Sequence, residues 1–202
     1  DQLNSAPIGL REKLMELINF EAERCRNHSD GAITAKFNSL VDPQIIDALY
    51  KASQAGVKIR LNIRGICCLK PGIPGLSENI EVISIIDRFL EHARIFHFRH
   101  GGDDQVLISS ADMMPRNLDR RIELLIPILD DECRRKAINI LKTCMKDNSK
   151  ARVIRADGGF NAPKMSADTG FRSQQEFQRQ AKETEKNASE AMRRMFVPLE
   201  PN

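Results

Sequence analysis

His92 and Arg94 are the two side chains whose types and spacing best suit chemistry in this sequence. They stand in Glu91-His92-Ala93-Arg94. Alternate residues of an extended chain share a face, so imidazole and guanidinium project to one side. The pair suits phosphate. A cation can hold phosphoryl oxygens while an imidazole moves a proton or attacks phosphorus. On these four residues alone, a surface histidine ahead of a strand is the commoner reading. The neighbours shift the balance. Ser109-Ser110-Ala111-Asp112 ends the following strand, and Arg116, Asn117, Arg120, Arg121 and Glu123 come soon after. Guanidinium groups grip phosphate through paired hydrogen bonds, so this loop is a candidate anion pocket. Arg64-Gly65 closes a strand read as parallel, and ligands of open α/β sheets bind at that edge.

Metal chemistry fits less well. His92, His97 and His100 lie close together, but residues of a strand do not converge and no Cys, HxxE or HExxH spacing completes a set. The five cysteines include only one close pair, the adjacent Cys67 and Cys68. That spacing excludes CxxC zinc or redox sites and points to a reducing compartment with all five thiols free.

The elements that must position these residues are legible from periodicity. Leu10, Leu14, Leu17, Ile18, Ala22 and Cys25 recur at helical spacing from Gly9 to about Asn27. Ile33, Ala35 and Phe37 alternate with Thr34, Lys36 and Asn38, which is strand period. Asp42 and Pro43 open a helix as N-cap and first residue, with Ile45, Ile46, Leu49 and Ala52 on its apolar stripe. Val57, Ile59, Leu61 and Ile63 form the next strand, so this stretch is a βαβ unit with parallel strands. After a Pro- and Gly-rich loop, strands are expected at 80–86, 94–99, 105–109 and 122–126. A short helical turn is expected at 87–92, a hairpin turn at Gly101-Gly102 and a loop at 110–120. A helix follows Asp130 or Asp131, and a last strand runs from Ala151 to Arg155. From Asp157 the chain turns polar, and Ser173 to Arg194 reads as a helix with too thin an apolar stripe to be well held. Two parts follow: a domain over 1–156, and a linker with a polar helical or disordered tail over 157–202.

Composition bounds the partners. Hydrophobic residues at 41% can bury a core, and 31 basic against 28 acidic residues give only +3. A pI near 8.6 is too mild to imply nucleic acid or membrane, though a local basic pocket is compatible with it. No apolar run approaches the ~20 residues of a membrane span, and no signal-like pattern opens the chain. Because residue 1 is Asp, the chain is expected to be a piece of something longer.

Several segments resemble polyphosphate kinases. They are Ala35-Lys36-Phe37-Asn38-Ser39-Leu40-Val41-Asp42, Ile63-Arg64-Gly65-Ile66-Cys67, Leu76-Ser77-Glu78-Asn79-Ile80, Arg88-Phe89-Leu90-Glu91-His92, and Ser109 through Met113-Met114-Pro115 to Arg121. In order, they cover roughly residues 5–155. The resemblance is to the C-terminal catalytic region, and it implies an α/β fold like that of phospholipase D: a mixed sheet flanked by helices, here with a polar C-terminal extension.

The resemblance also implies a function. Such enzymes reversibly transfer the terminal phosphate of ATP to inorganic polyphosphate through a phosphohistidine. Two phospholipase D-like halves each bring an H-x-K/R motif. The phosphorylated histidine belongs to the earlier half, upstream of this chain. His92 matches the histidine of the second half, an acid or base that contacts nucleotide. Arg64 matches a phosphate clamp, and Arg94, with Arg116, Arg120 or Arg121, is expected to line the substrate tunnel as a cation. Mg2+ accompanies ATP, with its ligands expected upstream. The implied partners are ATP or ADP, polyphosphate and the upstream domains of the same polypeptide, while a homo-oligomer is compatible and nucleic acid is not expected. A cytoplasmic setting is implied, with peripheral membrane association left open. The isolated chain is expected to be inactive. The sequence departs from phospholipase D proteins at Ser109-Ser110, where they have Gly-Ser, and at Asp112, where they have Asn. Met113 stands where many polyphosphate kinases carry Trp. Two alternatives stay open: a phospholipase D-like phosphodiesterase or nuclease, and a non-catalytic polyanion-binding domain.

Overall fold

A computed structural model describes residues 3–162 and 170–195. The apolar runs build one nine-stranded mixed sheet. Its strands are β1 (Asn4–Ala6), β2 (Ala32–Phe37), β3 (Lys58–Ile63), β4 (Ile80–Ile85), β5 (Ile95–Phe98), β6 (Gln105–Ser109), β7 (Glu123–Pro127), β8 (Ala151–Ile154) and β9 (Phe160–Asn161). The spatial order is β1-β7-β6-β5-β2-β3-β4-β8-β9. Strands β2, β3 and β4 are parallel, and β5 runs antiparallel to β2. The end of β2, the end of β3 and the start of β5 therefore meet at one rim.

Five helices accompany the sheet: α1 (Leu10–His28), α2 (Pro43–Gln54), α3 (Pro115–Arg120), α4 (Asp131–Met145) and α5 (Ser173–Met195). The period-two pattern of β2 decides which helices it meets. Ile33, Ala35 and Phe37 are buried in one cluster with Leu14, Leu17 and Ile18 of α1 and Ile45 and Leu49 of α2. On the opposite face, Ala137 and Leu141 of α4 pack with Ile95 and Val106, and Cys144 packs with Ile83, Ile85 and Ala151. Helix α2 begins as its sequence dictates, with the Asp42 side chain accepting from the Ile45 amide at 3.1 Å and Pro43 in the first turn. All five cysteines are free thiols. Burial pushes Cys144 up to about 12 and Cys67 up to about 11, so neither is a thiolate at neutral pH.

Two local expectations are corrected, and a third is met. The hairpin turn at Gly101-Gly102 joins antiparallel β5 and β6, as a short 3-10 turn from His100 to Gly102. Residues 87–92 are not a helical turn but an irregular connection. The expected loop at 110–120 contains α3, six residues with no apolar stripe to betray it. Its start is stitched to the end of β2, since the Met113 carbonyl accepts from the Val41 and Asp42 amides at 2.8 and 2.9 Å.

The polar tail also differs from a weakly held segment. Strand β9 pairs with β8, and the base of α5 docks onto the domain. Ser173 and Gln174 are buried, and Phe177 packs against the cluster around Cys144. The Asp147 side chain accepts from the Ser173 amide and hydroxyl, both at 2.8 Å. Polar bonds hold what apolar content could not. Of the linker expected between Asp157 and Ser173, residues 163–169 lie outside the described residues. Limited proteolysis should thus leave residues 171–178 associated with the core. Their release, with a resistant core ending near Arg155, would contradict this anchoring.

Candidate active site

One hydrogen-bonded chain of side chains runs along the rim where β2, β3 and β5 meet. At one end, Arg64 follows β3 and donates from Nε to Asn38 Oδ1 at 2.7 Å. Asn38 follows β2, is buried, and turns its Nδ2 to Asp112 Oδ2 at 3.2 Å while its backbone amide donates to Asp112 Oδ1 at 2.8 Å. Asp112, beyond β6, accepts a two-pronged bond from Arg94: Nε to Oδ1 at 3.1 Å and Nη2 to Oδ2 at 2.9 Å. Arg94 then reaches back over two residues and donates from Nη1 to the His92 carbonyl at 3.1 Å. The two imidazole nitrogens lie 3.3 and 3.4 Å from Arg94 nitrogens. His92 is exposed and Arg64 is partly exposed, so both ends of the chain face solvent.

The electrostatics explain the middle of this chain. Burial alone would raise the Asp112 carboxyl. The Arg94 hydrogen bonds, the Asn38 amide and the Arg94 charge outweigh it and hold Asp112 below the usual carboxylate range. Arg94 is itself nine-tenths buried, at 9% side-chain exposure. Its N–H groups are engaged with Asp112 and His92, which suits orienting His92 better than gripping a substrate. A second buried pair lies just beneath: Lys36 Nζ is 2.8 Å from Glu91 Oε2, next to His92 in sequence.

Among the described residues, the other candidates from Ser109 to Arg121 make no hydrogen bond or ion pair with His92. Ser109 and Ser110 turn to β7: the Ser109 hydroxyl donates to the Leu124 carbonyl at 2.7 Å, and the Ser110 hydroxyl donates to Glu123. Asn117 donates to the other Glu123 oxygen at 2.6 Å, which fixes α3. Arg116, Arg120 and Arg121 are exposed, and their side chains make no hydrogen bond or ion pair among the described residues. Asn38 is the participant that sequence reading passed over as a residue of a polar strand face. Its only signal was an amide at a strand end.

Gly65 shows how tightly this rim is packed. A Cβ there would sit 2.7 Å from the Asn38 carbonyl oxygen and 2.9 Å from Ser39 Oγ. Gly65→Ala should therefore push β2 and β3 apart at the Arg64–Asn38 bond. It is expected to lower stability by about 1–3 kcal/mol, measured by urea unfolding. An unchanged midpoint would contradict this packing.

Residues 3–174 match the family model described as Polyphosphate kinase C-terminal domain 2. The chain belongs to that family. Among curated relatives, a polyphosphate kinase of Rhodopirellula baltica is 50% identical over 202 residues, which is 100% of this chain and 24% of that protein. One from Pseudomonas aeruginosa is 50% identical over 159 residues, 79% of this chain and 23% of that protein. The chain thus spans about a quarter of the polyphosphate kinases that it matches. The crystal structure of a polyphosphate kinase from Porphyromonas gingivalis superposes with TM-score 0.88 at 40% identity, covering 93% of this chain and 29% of that one. Nuc of Salmonella typhimurium, a phospholipase D family member, superposes with TM-score 0.55 at 15% identity, covering 76% of this chain and 97% of that one. At that identity it supports the fold alone: this polyphosphate kinase domain is a phospholipase D-like mixed sheet flanked by helices. No described helix is long and apolar enough to cross a membrane.

Proposed function

We propose that this chain supplies the second half of a polyphosphate kinase active site. The whole protein would transfer the terminal phosphate of ATP reversibly to inorganic polyphosphate. The observation that carries the reading is the side-chain chain from Arg64 through Asn38, Asp112 and Arg94 to His92. It leaves a cation and an imidazole facing solvent at one rim.

In this reading a histidine of the upstream half is the nucleophile. Its ring nitrogen bonds to the γ-phosphorus as the bond to the oxygen bridging the β- and γ-phosphates breaks, and ADP leaves with the electron pair. A terminal oxygen of polyphosphate then bonds to that phosphorus and frees the histidine. His92 gives a proton to the bridging oxygen as ADP leaves and takes it back in the reverse direction. Arg64 holds phosphate oxygens, where a positioned guanidinium stabilises charge that develops in transfer. Arg94 orients His92. Arg116, Arg120 and Arg121 are free to meet the polyanion.

Magnesium enters with ATP as part of the substrate. The residues of this rim do not fit a resident cation. Asp112 is spent on Arg94 and Asn38, and Glu91 faces Lys36. No described group of three or more His, Cys, Asp or Glu side chains could hold one. Metal ligands belong upstream in this reading, and no step here runs through them.

The full-length protein separates this reading from its runner-up. With labelled ATP it should yield long-chain polyphosphate, and with a phosphodiester substrate no cleavage. Diester cleavage without polyphosphate synthesis would favour a phosphodiesterase. Salt-sensitive polyanion binding without either reaction would favour a binding domain.

A further inference from the structure

The residues from Asp87 to His92 have no secondary structure of their own, yet they carry the histidine. Their apolar side chains do not pin them. Phe89 and Leu90 are 55% and 76% exposed, and Ile86 just before them is 68% exposed. Behind the segment lies an open cavity of about 390 Å³, walled by Phe89, Glu91, Ile140, Gln174 and Phe177. A segment with so little apolar contact opens easily unless polar bonds fix it.

Those bonds come from Arg172, just before α5, and from Gln174 in its first turn, each 85 residues from its partner in sequence. Arg172 Nε donates to Asp87 Oδ2 at 2.7 Å, and the Asp87 side chain is only 2% exposed. The Gln174 carboxamide pairs with both backbone groups of Phe89: its Oε1 accepts from the amide at 2.9 Å and its Nε2 donates to the carbonyl at 2.9 Å. The same Nε2 donates to Glu91 Oε1 at 2.9 Å. Gln174 therefore does for Phe89 what a neighbouring strand would do, and it grips the residue next to His92 as well. The turn that presents it is fixed in its own right. Asp147 holds Ser173 through one oxygen and, through the other, accepts from the amides of Ser149, Lys150 and Ala151.

We infer that Gln174, supported by Arg172, is a positioning residue for His92, so that the base of the polar tail is a working part of the half-site. The inference rests on the kinase reading given above. Positioning carries a large share of phosphoryl transfer, and a shift of about 1 Å at a reacting group lowers rate by up to about a hundredfold.

The test uses the full-length enzyme, with steady-state kinetics and amide hydrogen exchange on the same samples. Gln174→Ala should lower kcat by about tenfold or more while KM for ATP stays within about twofold, because the group acts on geometry and not on ground-state binding. Exchange in the peptide spanning 87–92 should quicken by about tenfold, with β2 and β3 peptides unchanged. If the alanine variant does not fold, Gln174→Asn, whose amide is too short to bridge Phe89, gives the same readouts. Unchanged exchange at 87–92 overturns the inference, as does quicker exchange with unchanged kcat. A general slowing of folding or loosening of all peptides also overturns it, since that marks a structural residue. His92→Ala measured alongside keeps the two readings apart. If that variant turns over normally, the role given to His92 fails, while the exchange data still decide whether Gln174 holds the segment.

Discussion

In the full-length enzyme, His92→Ala is expected to lower kcat by about a hundredfold or more, the scale of a positioned acid or base. The imidazole is exposed, so its loss should leave stability within about 0.5 kcal/mol. The two readouts together are the point: a large kinetic loss without a loss of fold places His92 in the chemistry. A variant that keeps more than about a third of wild-type turnover would remove His92 from the mechanism. The isolated 202-residue chain is a related case. Of its two H-x-R pairs, His92-Ala93-Arg94 and His97-Phe98-Arg99, the second has its histidine turned to Asp104, 3.0 Å away. One half-site should make no polyphosphate, because transfer needs nucleophile, cations and leaving group held in line.

Asp112→Ala is expected to have the largest effect on stability. It leaves Arg94 as an unpaired cation with 9% side-chain exposure, and breaking one partner of such a pair costs about 3–5 kcal/mol. It also leaves the Asn38 amide without its acceptor and takes away the support of His92. Urea unfolding should show the loss, and kcat should fall with it. The pH dependence has a definite sign. The native carboxyl lies below its unfolded value of about 3.9, so near and below that pH the unfolded chain takes up the proton first. This contribution is complete above about pH 4–5 and fades as pH falls through the native value. The wild-type protein should thus lose stability with acid over that window, and the variant should lose less. Equal acid sensitivity in both would argue against the Arg94–Asp112 pair.

The parts of the fold that the sequence made legible are those where local chemistry and packing agree. Asp42 and Pro43 cap α2, and Ile33, Ala35 and Phe37 bury one face of β2, as the periodicity demands. Helix α3 was hidden because it is short and is held by Asn117 on Glu123 and by backbone bonds from Met113. The 87–92 segment was expected to form a helical turn, but it is irregular and is bonded to Arg172 and Gln174 at the base of α5. The tail looked unanchored because apolar content was its only readable measure, and its anchors are Arg172, Ser173 and Gln174. The site divides in the same way. His92 and Arg64, the two ends of the candidate site, were singled out by type and by family resemblance. Asn38 and Asp112, which join them, meet across 74 residues, and no local pattern announces that. The serines were misjudged for a related reason: their hydroxyls are claimed by β7, which pairs with β6 next to them.

The central claim is that this domain supplies an acid or base and a phosphate clamp, while the nucleophile lies in the upstream half. Incubating the full-length protein with γ-labelled ATP and mapping the acid-labile label by peptide tests it most directly. The account predicts label on a histidine upstream of residue 1 and none on peptides carrying His28, His92, His97 or His100. Label on His92 itself would contradict the account and make this half the seat of the covalent intermediate.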